Sequence, residues 1–198
     1  MKNVRTLFSA LLLGILLQGV QGASLKLPAI LGDHMVLQQN SFARIWGWTE
    51  PGGEVKVTTS WNGENYSVWA NAQGNWQVKV VTGKAGGPYS VTIKGDITMV
   101  LEDILLGEVW ICSGQSNMEW PLSRAETADT EIPLSDYPEI RLFTVKKHIA
   151  PRPEEDVIGV WEACTPESSP GFSAVGYFFG KKLHKELGVP VGLVHTSW

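Results

Sequence analysis

Cysteine is nearly absent from this chain of 198 residues: Cys112 and Cys164 are the only two. Two cysteines cannot build the dense disulfide framework of a small secreted scaffold. Their spacing to the four histidines matches no zinc site either, so zinc is not implied, and no cofactor is expected. An oxidising compartment permits one bridge, yet Cys112 stands in an apolar run, where a thiol behaves as a small buried hydrophobe. Free thiols are expected. Positive charge is also short: 16 Lys and Arg against 20 Asp and Glu leave a formal charge of −4. The chain has no basic stripe of the kind that phosphate neutralisation requires, so nucleic acid is not an expected partner.

Long apolar runs are missing too, except at the start. Leu7 to Leu17 follows Lys2 and Arg5 and leads into Val20-Gln21-Gly22, small residues suited to cleavage. The run is shorter than the roughly 20 residues that cross a hydrocarbon core. Residues 1–22 therefore read as a signal peptide, with a mature chain from Ala23, export to the periplasm or beyond the cell, and no membrane association after cleavage.

The chain is rich in glycine and tryptophan, 21 and nine residues. From residue 23 to about 104 the pattern is short alternating runs with turn chemistry between them. Phe42, Arg44, Trp46 and Trp48 share one parity, and Pro51-Gly52-Gly53 closes the run. Val55, Val57 and Thr59 precede Asn62-Gly63, a strong hairpin signal. Tyr66, Val68 and Ala70 follow, then Trp76, Val78 and Val80, and, after Gly86-Gly87-Pro88, Tyr89, Val91 and Ile93. Strands at roughly 8–12-residue spacing predict an antiparallel β-sandwich.

Beyond a boundary placed near Ile104 the pattern changes, and residues 105–198 predict an α/β unit. Val109-Trp110-Ile111-Cys112 reads as a strand buried on both faces of a parallel sheet. Residues 119–138 read as a short helix start and a surface excursion, and Ile140 to Val145 as a strand. Phe172, Val175, Phe179, Leu183 and Leu187 recur at helical spacing, with Ser173 as N-cap and Gly188 and Pro190 as stop. Gly176 and Gly180 share a face that permits close approach to a sheet. Val189 to Val194 reads as a further buried strand.

The strand that ends at Ser113-Gly114 delivers Gln115-Ser116-Asn117-Met118. Gly114 lets the backbone turn sharply, and ligands of open α/β sheets bind beyond the carboxyl ends of the strands. Ser116 is thus the candidate catalytic nucleophile. Gly114-Gln115-Ser116-Asn117-Met118, followed by Glu119-Trp120-Pro121-Leu122, resembles the nucleophile block of the SGNH (GDSL-like) hydrolase superfamily, in its sialate O-acetylesterase branch. The likeness continues through Leu31-Gly-Asp-His-Met-Val-Leu-Gln, Ile45-Trp-Gly-Trp, Gly74-Asn-Trp, Arg141-Leu-Phe, Phe172-Ser-Ala-Val-Gly-Tyr-Phe-Phe and Pro190-Val-Gly-Leu.

This resemblance implies a β-sandwich ahead of an α/β, flavodoxin-like hydrolase domain, here truncated. It also implies attack on an O-acetylated sugar by Ser116 through an acetyl-enzyme, without a metal. The superfamily's glycine, asparagine and Asp/His blocks find no matching positions, so only Ser116 and its own amide carry over, and the chain alone is expected to be inactive. His195, near the end of the last strand, is either a stand-in base or a structural histidine on the site wall; His34, His148 and His184 read as structural or solvated. Gln115 and Glu119 suit substrate contact or helix capping, and Trp120 suits a sugar face or core packing. An esterase of acetylated xylan, and a non-catalytic glycan-binding protein, are the rival readings.

Overall fold

The computed structural model describes residues 24–198; the signal peptide expected at residues 1–22 lies outside them. The chain forms β1 (Val36–Gln38), β2 (Phe42–Trp48), β3 (Glu54–Thr59), β4 (Asn65–Trp69), β5 (Asn75–Val81), β6 (Gly86–Lys94) and β7 (Thr98–Gly114). Then come α1 (Ser116–Glu119), α2 (Ala128–Glu131), β8 (Tyr137–Thr144), β9 (Trp161–Cys164), α3 (Ala174–Leu187) and β10 (Val191–Ser197). The architecture is α+β. A mixed eight-stranded sheet runs β4-β3-β6-β7-β10-β8-β9, with β1 beside β7, and β2 and β5 form a separate antiparallel pair.

The alternating runs became strands because one parity of each is apolar enough to bury. On β2 the inward parity is Ala43, Ile45 and Gly47, while Arg44 is exposed and Trp46 and Trp48 are half-buried. Ile45, Trp76 and Val80 of the small sheet share one core with Val55, Val57, Val91 and Ile93 of the large one. Gly86-Gly87-Pro88, read as a turn, opens β6.

The strand β7 is 17 residues long. Its first part pairs antiparallel with β6, Val36 to Gln38 pair with Leu105 to Gly107, and residues from Glu108 on pair parallel with β10. The boundary expected near Ile104 thus falls inside a continuous strand. The sheet expected as two separate ones is shared by both halves.

Two expectations for the second half need correction. Val109 to Cys112 is not buried on both faces: Ile111 is 72% exposed and Trp110 44%. Only β10 flanks β7 there; Trp110 meets Phe179 of α3 edge to face, and nothing among the described residues covers Ile111. In α3, the large apolar residues Val175, Phe179 and Leu187 are substantially exposed, whereas Ala174, Gly176, Tyr177 and Gly180 are buried. Close approach decides this orientation. A Cβ on Gly180 would lie 2.5 Å from Leu193 Cδ1, so the glycine face, not the bulkiest one, meets the sheet.

The helix limits follow local chemistry. Ser173 Oγ accepts the Gly176 N–H at 3.1 Å, and Gly188 ends the helix at φ +63°. The segment read as a surface excursion is partly packed: Leu122 and Ser135 are fully buried. Cys112 and Cys164 are both free and buried; burial pushes the Cys164 thiol up to about 12. No helix among the described residues is long and apolar enough to cross a membrane.

A polar tie joins the halves. Arg141 of β8 is 5% exposed and donates from Nη1 to Asp103 Oδ2 (2.6 Å) and from Nε to the Pro138 carbonyl (2.8 Å). His34 Nδ1 meets the same Asp103 oxygen at 2.7 Å. The Arg141 guanidinium, with His34 beside it, holds the Asp103 carboxyl below its usual range.

Candidate active site

Three parallel strands, β7, β10 and β8, bring their carboxyl ends together: Ser197 is level with Gly114, and His195 with Cys112 and Thr144. A crevice beyond such strand ends is where α/β sheets take ligands. At its rim Gly114 has φ +151°, which a side chain rarely adopts, and the chain turns from β7 into α1 with Ser116 as its first residue. Ser116 is exposed.

The turn is held from two sides. The Trp198 N–H donates to the Gly114 carbonyl at 3.0 Å, tying it to the end of β10. The Ala174 N–H donates to the Trp120 carbonyl at 2.8 Å, and Ser173 Oγ meets Met118 Sδ at 3.3 Å, tying it to the start of α3. Both ties fix the position of the Ser116 hydroxyl, and for any reacting group a misplacement of about 1 Å lowers the rate.

Ser116 opens onto a cleft of about 550 Å³ whose walls include Glu119, Trp120, Arg124, Lys146, Lys147 and His195. Lys147 forms an ion pair with Glu119 and holds its carboxyl below the usual range. Arg124 stands 5.8 Å from the Trp120 ring centroid. Neither Arg124 nor Lys146 forms an ion pair with a described residue. The cleft therefore carries spare positive charge.

His195 lines this cleft, but its hydrogen bond goes elsewhere. Nε2 lies 2.7 Å from Ser197 Oγ, and Nδ1 is buried with no partner among the described residues. Burial pushes the imidazole below its ordinary value; Glu119 and the Met118 backbone oppose this, and Lys147 adds to it. The Phe172 ring packs against it at 5.4 Å. An imidazole whose hydrogen bond goes to Ser197 has the geometry of a wall residue, not of a base engaged with Ser116.

Of the residues singled out in the sequence, the structure brings Ser116, Glu119, Trp120 and His195 to one cleft. Gln115 and Asn117 are not among its walls. His34 pairs with Asp103, His184 Nδ1 meets the Val189 carbonyl at 2.8 Å, and His148 is exposed. Sequence reading missed Arg124, Lys146, Lys147 and Ser197. Only Ser197 left a signal, because it shares strand parity with His195. Among the described residues no three His, Cys, Asp or Glu side chains converge as a metal site would need.

No family model matches the chain. Over 89% of its length it is 32% identical to the sialate O-acetylesterases of Homo sapiens and Mus musculus, of which it spans 38% and 36%. Its structure superposes on a carbohydrate acetylesterase from Xanthomonas citri with a TM-score of 0.83 and 37% identity, covering 88% of this chain and 40% of that one. The chain is a distant homologue of these esterases and spans well under half of their length.

Proposed function

We propose that this chain carries the nucleophile-bearing part of an exported carbohydrate O-acetyl esterase, with β1 to β6 as a β-sandwich module and the remainder as part of an SGNH-type hydrolase domain. Its substrate on this reading is O-acetylated sialic acid. The observation that carries the proposal is Ser116: an exposed hydroxyl on a clamped turn at the carboxyl end of β7, facing a cleft of about 550 Å³.

Ser116 Oγ attacks the acetyl carbonyl and gives up its proton, and the bond to the sugar oxygen breaks as that oxygen takes up the equivalent proton. Water then cleaves the acetyl-enzyme to acetate and regenerates the hydroxyl. Oxyanion donors are worth about 3–4 kcal/mol each. The backbone N–H of Ser116 is one such donor in the resembled hydrolases. The unpaired Arg124 and Lys146 favour an anionic sugar over a neutral one, since the sialate carboxylate would meet positive charge on the cleft wall. His195 is committed to Ser197, so these 198 residues alone hydrolyse acetyl esters negligibly.

Acetate release is measured from O-acetylated N-acetylneuraminic acid and from acetylated xylan, using this chain and a longer product of the same reading frame. The longer product is expected to prefer the sialate, and Ser116→Ala to abolish turnover. Turnover that survives Ser116→Ala removes Ser116 from the mechanism, and preference for xylan moves the substrate to plant polysaccharide.

A further inference from the structure

A second cleft lies on the outer face of the β2–β5 pair, remote in sequence from Ser116. It has a volume of about 270 Å³, room for one small ring, and its walls include Trp46, Trp48, Asn75, Trp76, Gln77 and Glu155. The register explains the grouping: Trp46 stands opposite Gln77 and Trp48 opposite Asn75, so two indoles and two amides share one face. Burial satisfies none of these four polar or aromatic groups fully. Trp46 and Trp48 are half-buried, Asn75 and Gln77 are exposed, and neither amide side chain bonds to another described residue. Trp76 is buried at 3% exposure, and its indole N–H has no partner. The Trp48 indole N–H donates to Glu155 Oε2 at 3.3 Å, which fixes that ring and places a carboxylate at the rim.

The geometry points to a binding subsite for a neutral sugar ring, separate from the Ser116 cleft. The C–H face of a sugar is apolar and carries slight positive charge, which suits the negative face of an indole. Its hydroxyls donate and accept at once, as do the side-chain amides, and they donate to a carboxylate. An anionic ligand is disfavoured by Glu155. The two sites are linked wall to wall: Glu155 belongs to the segment 151–158, whose Glu154 and Asp156 line a third cleft of about 580 Å³. That cleft shares Lys146, Lys147 and Ser197 with the Ser116 cleft. The subsite holds a sugar unit of a glycan other than the one that is deacetylated.

The test is binding, not turnover. The full chain is titrated with lactose, xylohexaose and mannohexaose by tryptophan fluorescence and calorimetry, at concentrations up to about ten times a millimolar Kd. Saturable binding of at least one probe is expected, weakened about tenfold or more by Trp48→Ala and by Gln77→Ala. Gln77 is exposed, so its substitution leaves the fold in place should Trp48→Ala destabilise it. Ser116→Ala keeps this binding, which separates failure of the esterase reading from failure of the subsite. Absence of saturable binding to all three probes by a chain with an intact cooperative melt, or binding indifferent to both substitutions, overturns the proposal.

Discussion

Gly107 marks the point where β7 exchanges β1 for β10 as its neighbour, and a methyl group there should be severely destabilising. A Cβ would lie 2.0 Å from the Pro190 carbonyl oxygen and 2.6 Å from its carbon. Ordinary C···O contacts begin near about 3.3 Å, so the start of β10 must retreat by more than about 1 Å. Both opposing atoms are backbone, so no rotamer change relieves the clash. The retreat also breaks the hydrogen bond from the Glu108 N–H to the Pro190 carbonyl, now 2.9 Å. Overpacking costs about 1–3 kcal/mol, and a stranded buried acceptor costs about 1–3 kcal/mol more. At about 2–4 °C per kcal/mol for a chain of this size, Gly107→Ala lowers Tm by about 4 to 24 °C. Calorimetry with Gly171→Ala as control, where nothing lies within 4 Å of the added carbon, isolates the effect. A Gly107→Ala protein that melts within about 2 °C of its parent refutes the tight β7–β10 junction.

Two further outcomes follow from the packing and the polar tie. The Asp103 carboxyl is held below its ordinary value of 3.8, so its contribution is complete above that pH and is lost as pH falls through the folded-state value. Asp103→Asn should therefore destabilise the chain at pH 7, with the difference from the parent shrinking below about pH 4; a pH-independent difference in Tm contradicts the ion-pair account. In α3, alanine at position 180 gains about 1 kcal/mol of helix propensity, but its Cβ would sit 2.5 Å from the fully buried Leu193. Overpacking of about 1–3 kcal/mol outweighs the gain, so Gly180→Ala has a lower urea midpoint than the parent, and a higher one would show that the helix can shift outward.

Legibility in the sequence tracked how local each cause was. Ser173 and Gly188 delimit α3 through chemistry within a turn of themselves, so the helix was readable to the residue. Its orientation was not, because hydrophobic periodicity weights Phe179 and Leu187 and gives no weight to Gly176 and Gly180, whose lack of side chain sets the contact. Ser116 could be placed because a strand end and Gly114 adjoin it. The cationic wall could not, since Arg124, Lys146 and Lys147 meet only through the sheet. Continuity of β7 was hidden by Glu102-Asp103: the pair reads as an interruption, yet Asp103 takes φ +54° and turns its carboxylate to Arg141, 38 residues on. The tryptophan pairs were read as alternation, and only the register of β2 on β5 sets Gln77 and Asn75 against them.

A module boundary that bisects a strand offers no seam for recombination. A breakpoint at residue 104 would leave each fragment with a half-strand stripped of its continuation, so neither piece could be transplanted intact. Any exchange of the tryptophan-bearing module for another must carry all of Thr98–Gly114 with it. The strand would then bring the incoming module's own residues up to Gly114, two positions short of Ser116, so the placement of that serine is inherited together with the first half of the chain.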